Sequence, residues 1–129
     1  MREKDLKLTE AQLKRQIGDY LEYGTNQGRW YASRLNSGIA YVKRGDKYYA
    51  ITLCEEGTAD FMVMRAIYFE PKPRAVIPKT KSCRVIFLEL KGDKGKTSPA
   101  QNAFKILVEA QGCSYFVIRS IEELENVLA

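Results

Sequence analysis

The first amphipathic segment of the chain begins near residue 9. Its apolar residues recur at the i, i+4, i+7, i+8 spacing of a core-facing helical stripe, and they are Leu13, Ile17, Tyr20 and Leu21. Thr9 and Gln12 have the spacing of a capping box, which predicts the start of the helix. We expect this helix to run to about Tyr23 and to end at Gly24, because glycine readily adopts the left-handed conformation of a C-terminal cap.

Two more helices are predicted in the C-terminal third of the chain. Ser98, Pro99 and Gln101 have the order of an N-cap, a first-turn proline and a capping-box partner, and Gly112 is expected to end that helix. The residues predicted to share one face of it are Ala100, Phe104, Leu107, Val108 and Gln111. Ser120 is expected to cap a final short helix, with Glu123 as its capping-box partner. The residues that this last helix should bury are Ile121, Leu124, Val127 and Leu128.

The middle of the chain has the composition of β-strands. Residues 29–53 are rich in aromatic and β-branched types and contain turn signals at 36–38 and 44–46, which predicts two or three antiparallel strands. Residues 60–69 form the next predicted strand, and 70–82 a proline-bearing loop.

Two further strands complete the predicted order. Residues 84–91 are apolar on both faces, as in a central strand, and 113–118 form the last strand. The predicted order of elements is helix, several strands, helix, strand and helix. This order predicts an α/β fold with a mixed central sheet flanked by helices. A chain of 129 residues is most simply one domain, 1–129.

Composition narrows the possible chemistry. The chain contains no histidine, which excludes mechanisms that use an imidazole base, and its three cysteines include no C-x-x-C pair, which argues against zinc. Carboxylates and lysines must therefore carry any catalysis. The N-terminal segment is charged and lacks the apolar stretch of a signal peptide, so we expect the protein to stay in the compartment where it is made.

The positive charge predicts a polyanionic partner. The net charge is +5, and basic residues cluster in two segments, Lys72, Arg74, Lys79, Lys81 and Arg84 in the first and Lys91, Lys94 and Lys96 in the second. The candidate DNA contacts among them are Lys72, Arg74, Lys79, Lys81, Lys94 and Lys96, although the first cluster could be merely a solvated loop. Arg34 and Asn36 either contact DNA as well or only shape the turn at Gly38.

Three charged residues at strand ends form the candidate site. Because side chains alternate along a strand, Glu89 and Lys91 share one face, and Asp60 comes close to Glu89 if their strands are neighbours. Two adjacent carboxylates repel each other unless a cation lies between them, and Mg²⁺ or Mn²⁺ suits such an oxygen pair. This chemistry favours phosphodiester hydrolysis, with Lys91 orienting the water or neutralising developing charge.

Several motifs, in their order and spacing, resemble a known nuclease family. They are YASRLNSG, EGTADFMV, VIFLELKG, KGKTSPAQNAF and VEAQGCSYFVIRSIEEL, and they cover nearly the whole chain from Glu10 onward. Together they are similar to the virus-type replication-repair nuclease (VRR-NUC) domain of the PD-(D/E)xK superfamily. The chain has Ala59 where the superfamily name has proline, a position that provides no ligand atom.

The resemblance implies a catalytic set and a substrate. Its metal-binding acid matches Asp60, its (D/E)xK pair matches Glu89 and Lys91, its helical glutamine matches Gln101, and its first-helix glutamate matches Glu10. We also expect the Leu90 backbone carbonyl to bind the metal and Glu10 to reach it through water. Stand-alone members of this size resemble phage and bacterial homodimers that cut branched DNA such as four-way junctions, which implies the cytoplasm of a bacterial cell or phage-infected host.

Other interpretations stay open at this point. Gln101 could serve as a helix cap, as a site residue, or as both, and Glu10 is favoured at its position by the helix dipole alone. Glu55 and Glu56 are expected to be solvated loop acids. For the whole protein, the alternatives to a junction endonuclease are a catalytically silent DNA-binding module of the same fold and a nuclease that trims linear DNA ends.

Overall fold

A computed structural model describes residues 8–69 and 80–129, and the predicted contacts Lys72, Arg74 and Lys79 lie outside these ranges. The chain is an α/β protein. Its elements are α1 (Glu10–Asn26), β1 (Tyr31–Arg34), β2 (Ile39–Arg44), β3 (Lys47–Thr52), β4 (Phe61–Phe69), β5 (Thr80–Leu90), α2 (Pro99–Ala110), β6 (Ser114–Ile118) and α3 (Ile121–Leu128). None of the helices within the described ranges is long and apolar enough to cross a membrane.

The main sheet has four strands in the order β1-β4-β5-β6. The pairs β1–β4 and β4–β5 are antiparallel and β5–β6 is parallel, so the sheet is mixed, as predicted. The strand β5 is central and begins at Thr80, earlier than predicted, because its first residues pair with the end of β4 as far as Phe69. The predicted loop 70–82 is therefore wrong at its C-terminal end.

Helices cover both faces of this sheet. The apolar core lies on the side of α1 and α3, and its residues include Leu13, Ile17, Leu21, Ile86, Leu88, Leu90, Leu124 and Leu128, all at most 2% exposed. On the opposite side, Phe104 of α2 packs edge-on against Phe87 of β5 with ring centroids 5.1 Å apart. Adjacent residues of β5 thus face different helices.

The helix caps follow the predictions in part. The capping boxes predicted at Thr9 and at Ser98 are present. Ser120 caps α3, but its box is incomplete, because the Glu123 side chain accepts from the Arg119 N–H instead of the Ser120 N–H.

The helix α1 continues past Gly24 to Asn26, and Gly24 is buried inside it. A Cβ at Gly24 would lie 2.1 Å from the Trp30 ring, whose Nε1 donates a hydrogen bond to the Leu21 carbonyl oxygen. Gly24 is thus explained by the close approach of Trp30, and the predicted helix end is wrong.

The predicted face of α2 is also wrong in part. Ala100, Phe104 and Val108 are half-buried, whereas Leu107 and Gln111, predicted on the same face, are exposed, Leu107 to 67%. Ile106 beside them is 69% exposed. The helix packs mainly on β6, so it covers a narrow strip and leaves its neighbouring apolar positions in solvent.

The strands β2 and β3 form a separate two-stranded sheet. They pair from Ile39 with Thr52 to Arg44 with Lys47 around a turn at 45–46, one of the two predicted turn signals. The strand β1 does not join them, because it pairs with β4 across this insertion. The sequence predicts two or three strands in residues 29–53, and the structure has three, β1, β2 and β3.

Candidate active site

The two predicted acids lie side by side at one end of the central strands. Phe61 pairs with Leu88 in the antiparallel β4–β5 register, so the preceding Asp60 lies opposite Glu89. The Leu90 backbone N–H donates a 2.7 Å hydrogen bond to Asp60 Oδ2, which holds the aspartate at the end of β5. The expectation that these strands are neighbours is confirmed.

Glu89 is buried, and its polar neighbours lie against only one of its two carboxylate oxygens. It is 3% exposed, and it is the one buried charged residue within the described ranges. Gln101 Nε2 donates a 2.8 Å hydrogen bond to Glu89 Oε1, and Lys91 Nζ lies 3.8 Å from the same atom. Glu89 Oε2 is buried and has no hydrogen-bond partner among the described residues. A buried carboxylate oxygen without a donor is energetically unfavourable. Glu89 Oε2 is therefore an open acceptor, that is, an oxygen still able to accept a hydrogen bond or to bind a cation.

The electrostatics of Glu89 agree with this geometry. Burial, and then the nearby charge of Asp60, raise the pKa of Glu89 from 4.5 to about 7, while Lys91 and Lys14 oppose the rise. Burial is the largest cause of the rise, so ionisation of Glu89 beside Asp60 is unfavourable, and a bound cation would favour the ionised form.

Gln101 makes hydrogen bonds that are compatible with both of the roles considered from the sequence. Its Oε1 accepts a 2.8 Å hydrogen bond from the Ser98 N–H, which completes the capping box, while its Nε2 donates to Glu89. One side chain therefore caps α2 and orients the buried carboxylate.

The loop before Asp60 fits closely against the start of α2. Gly57 is buried with a φ of 91°, and a Cβ there would lie 2.4 Å from the Ala100 carbonyl oxygen. Only glycine combines that backbone conformation with that approach. Thr58 Oγ1 donates a 2.7 Å hydrogen bond to the Glu55 carbonyl oxygen and closes the turn. Glu55 and Glu56 are exposed, as expected for solvated loop acids.

Two residues near the acids were missed by the sequence analysis. Lys14 Nζ lies 3.3 Å from Asp60 Oδ1, and its position one helical turn after Glu10 was a usable signal. Tyr115 on β6 is 7% exposed, with a hydroxyl that has no partner among the described residues. Burial, followed by the charges of Glu89 and Asp60, raises the pKa of Tyr115 to about 12.

Glu10 lies at the edge of the site. It is exposed, and its backbone N lies 3.8 Å from where a Cβ on Gly92, two residues after β5, would be. Within residues 8–69 and 80–129, no three or more acidic or cysteine side chains form a metal-binding cluster. Of the predicted metal ligands, the structure brings the Asp60 and Glu89 carboxylates together, whereas the roles of the Leu90 carbonyl and of a water held by Glu10 stay predictions.

The predicted DNA contacts differ in their distance from the acids. Arg34 pairs with Phe61 beside Asp60, and Lys94 and Lys96 are exposed on the loop between Glu89 and α2. Lys81, by contrast, lies eight residues before Glu89 on an extended strand, which separates them by roughly 27 Å. The structure brings Arg34, Lys94 and Lys96 near the site and leaves Lys81 at the opposite end of the sheet.

Comparison with known proteins gives no independent assignment. No family model matches the chain, and no curated protein matches it either.

Proposed function

We propose that the protein is a divalent-metal-dependent DNA endonuclease with the PD-(D/E)xK core of the VRR-NUC type that its motifs resemble. The observation that carries this proposal is the convergence of Asp60 and Glu89 beside Lys91. In the proposed role it acts as a homodimer on branched DNA such as four-way junctions, in the cytoplasm of a bacterial cell or phage-infected host.

The residues of the site fit Mg²⁺ or Mn²⁺. Mg²⁺ is commonly held by one or two carboxylates, with water and substrate phosphate in its remaining positions. Asp60 and the open Oε2 of Glu89 would provide the two carboxylates, because the Oε1 of Glu89 already receives Gln101 and faces Lys91. When bound, such an ion would polarise the phosphoryl oxygen and lower the pKa of a water molecule.

Lys91 supplies the positive charge for the chemistry. Its side chain is 13% exposed, and its Cδ would be 3.3 Å from a Cβ on Gly95, so the loop packs against the lysine stem. The ammonium group favours the ionised form of Glu89 and is close enough to the carboxylates to orient a water or to neutralise charge on the phosphate. A preorganised donor of this kind contributes about 3 kcal/mol to transition-state stabilisation.

Cleavage of defined substrates tests the proposal. Labelled four-way junction, flap and linear duplex are incubated with and without Mn²⁺, using the unaltered protein and Lys91→Ala. We expect Mn²⁺-dependent cutting that falls about 10²- to 10³-fold in Lys91→Ala. Lys105→Ala, which removes an exposed lysine from α2, is the matched control and should cut normally.

The other outcomes separate the alternatives. Cutting that survives EDTA or Lys91→Ala contradicts the mechanism. Binding without any cutting indicates a silent DNA-binding module, and degradation of duplex ends alone indicates a nuclease that trims linear DNA. Sedimentation tests the homodimer directly.

A further inference from the structure

The β2–β3 hairpin extends from the edge of the candidate site. It is inserted between β1 and β4, and the Leu35 N–H just after β1 donates a 2.8 Å hydrogen bond to the Asp60 carbonyl oxygen. The base of the hairpin is closed by 2.9 Å bonds from the Leu53 N–H to the Gly38 carbonyl oxygen and from the Cys54 N–H to that of Asn36. The ribbon is thus anchored beside the backbone of a proposed metal ligand.

Both faces of this ribbon are uncovered. Within the described residues, neither strand packs against another helix or strand. Every residue of β2 and β3 is exposed apart from the half-buried Ala40. Six are large apolar or aromatic side chains, namely Ile39, Tyr41, Val42, Tyr48, Tyr49 and Ile51. Because an isolated two-stranded ribbon is marginally stable in water, this surface is suited to a partner that covers it.

The charge at the tip selects the kind of partner. Residues 39–52 contain three basic side chains, Lys43, Arg44 and Lys47, and one acid, Asp46, which gives 3 − 1 = +2. Lys43 Nζ lies 5.9 Å from the centre of the Tyr48 ring, and the Arg44 guanidinium carbon 6.0 Å from that of Tyr49. A polyanion complements this tip, whereas a second copy of a chain with a net charge of +5 adds like charge.

The dimensions of the ribbon suit duplex DNA. Each strand has six residues, so the hairpin reaches about 20 Å from its base. That length corresponds to roughly six base pairs at about 3.4 Å each, and the major groove, about 12 Å wide, admits a two-stranded ribbon.

We propose that residues 39–52 form a DNA-binding arm that lies in a groove of the duplex flanking the cleavage site, with Arg44 and its neighbouring cations contacting phosphates and the tyrosines contacting sugars and bases. This inference rests on the proposed nuclease function. It adds a second contact surface, about half a helical turn of DNA from the carboxylates.

Binding without cleavage tests the arm separately from the nuclease. Fluorescence anisotropy is measured on labelled linear duplex and four-way junction, in EDTA and in Ca²⁺, across a range of salt concentrations. We expect Arg44→Ala to weaken binding about five- to tenfold and to reduce the log–log salt slope by about one unit. Lys105→Ala removes the same charge from the far side of α2 and should change neither quantity.

A second variant removes the whole hairpin, and its melting temperature distinguishes loss of DNA binding from loss of folding. Residues 39–52 are replaced by Gly-Gly, which suits a base whose two strands are already bonded to each other, and the melting temperature verifies the remaining fold. We expect this variant to bind DNA at least as weakly as Arg44→Ala. The proposed DNA-binding arm is wrong if Arg44→Ala binds DNA as tightly as the unaltered protein. It is also wrong if neither of these two proteins binds DNA.

Two further results keep this inference distinct from the proposed function. A protein that binds DNA through Arg44 but never cuts it retains the arm and loses the nuclease. If removal of the hairpin instead converts a dimer into a monomer while Arg44→Ala binds DNA normally, the ribbon is a subunit interface and the arm is wrong.

Discussion

The two faces of β5 differ sharply in their chemistry. Ile86, Leu88 and Leu90 face α1 and α3 in an aliphatic core and are fully buried. The residues between them, Phe87 and Glu89, face α2, where two buried polar atoms have no partner among the described residues. Alternation along one strand therefore separates a face that stabilises the fold from a face whose polar groups oppose it. The polar face is the one on which the proposed function rests.

The largest expected effect is on the aliphatic face. Leu88→Ala should lower the free energy of unfolding by about 2–5 kcal/mol, because it leaves a cavity at a fully buried position. Urea denaturation measures the change. Leu107→Ala, at an exposed position of α2, is the control and should stay within about 0.5 kcal/mol of the unaltered protein. A loss below about 1 kcal/mol in Leu88→Ala would show that this face is not the main core.

Glu89→Gln should have the opposite sign on the polar face. The pKa of Glu89 is raised in the folded protein, from 4.5 to about 7, so folding favours its protonated form. The contribution of protonated Glu89 to the free energy of unfolding is complete below pH 4.5 and is lost as the pH rises through about 7. Above that pH, in EDTA, Glu89→Gln should be more stable than the unaltered protein by about 1–3 kcal/mol, because the amide stays neutral.

Urea denaturation between pH 4 and pH 8 measures this gap, which is the difference in free energy of unfolding between Glu89→Gln and the unaltered protein. Glu56→Gln, which changes an exposed acid, should show no such dependence. Excess Mn²⁺ should narrow the gap by stabilising the unaltered protein alone, since a ligand of the folded state adds to its stability. A gap that is absent above pH 7, or that has the reverse sign, contradicts the unfavourable burial of Glu89.

Lys14→Met examines the boundary between the two faces. The Lys14 ammonium, 31% exposed and 3.3 Å from Asp60 Oδ1, places a positive charge where a metal ion would lie. Its removal should tighten Mn²⁺ binding about three- to fivefold, a modest effect because solvent screens the lysine. Calorimetric titration of Mn²⁺ measures it, with Arg15→Met, an exposed neighbour, as the control. Weaker Mn²⁺ binding in Lys14→Met would mean that Lys14 supports the site instead of competing with the ion.

Tyr115→Phe should have the smallest effect. The buried hydroxyl has no partner among the described residues, so its removal should leave the free energy of unfolding within about 1 kcal/mol or raise it slightly. Thermal denaturation in EDTA is a sufficient measurement. Tyr20→Phe, on the half-buried side of α1 where the ring stacks on Trp30, is a suitable reference. A loss above about 2 kcal/mol in Tyr115→Phe would reveal a hydrogen bond made through water.

Local signals predicted most of the elements and which of the charged side chains lie close together. The capping boxes at Thr9 and Ser98 and the alternation along β5 depend on neighbours within a few residues, and the structure contains them. The convergence of Asp60 and Glu89 was predictable because strand alternation and antiparallel pairing together determine which side chains meet.

Features that depend on distant elements were missed or misjudged. Gly24 faces Trp30 six residues later, and the Lys14 contact with Asp60 requires α1 to lie across the end of β4. The exposure of Leu107 depends on how much of α2 the sheet can cover, which helical periodicity does not determine.

By itself, the sequence determined the class of fold, the helix starts and the acidic, lysine and glutamine residues of the site, because each follows from short-range periodicity or from a motif. Only the tertiary structure decided that Glu89 has one satisfied and one open oxygen, that Lys14 contacts Asp60, and that the hairpin extends uncovered from the same edge. Burial and hydrogen-bond pairing are properties of the packed molecule, since they depend on atoms brought together from segments that the chain keeps far apart.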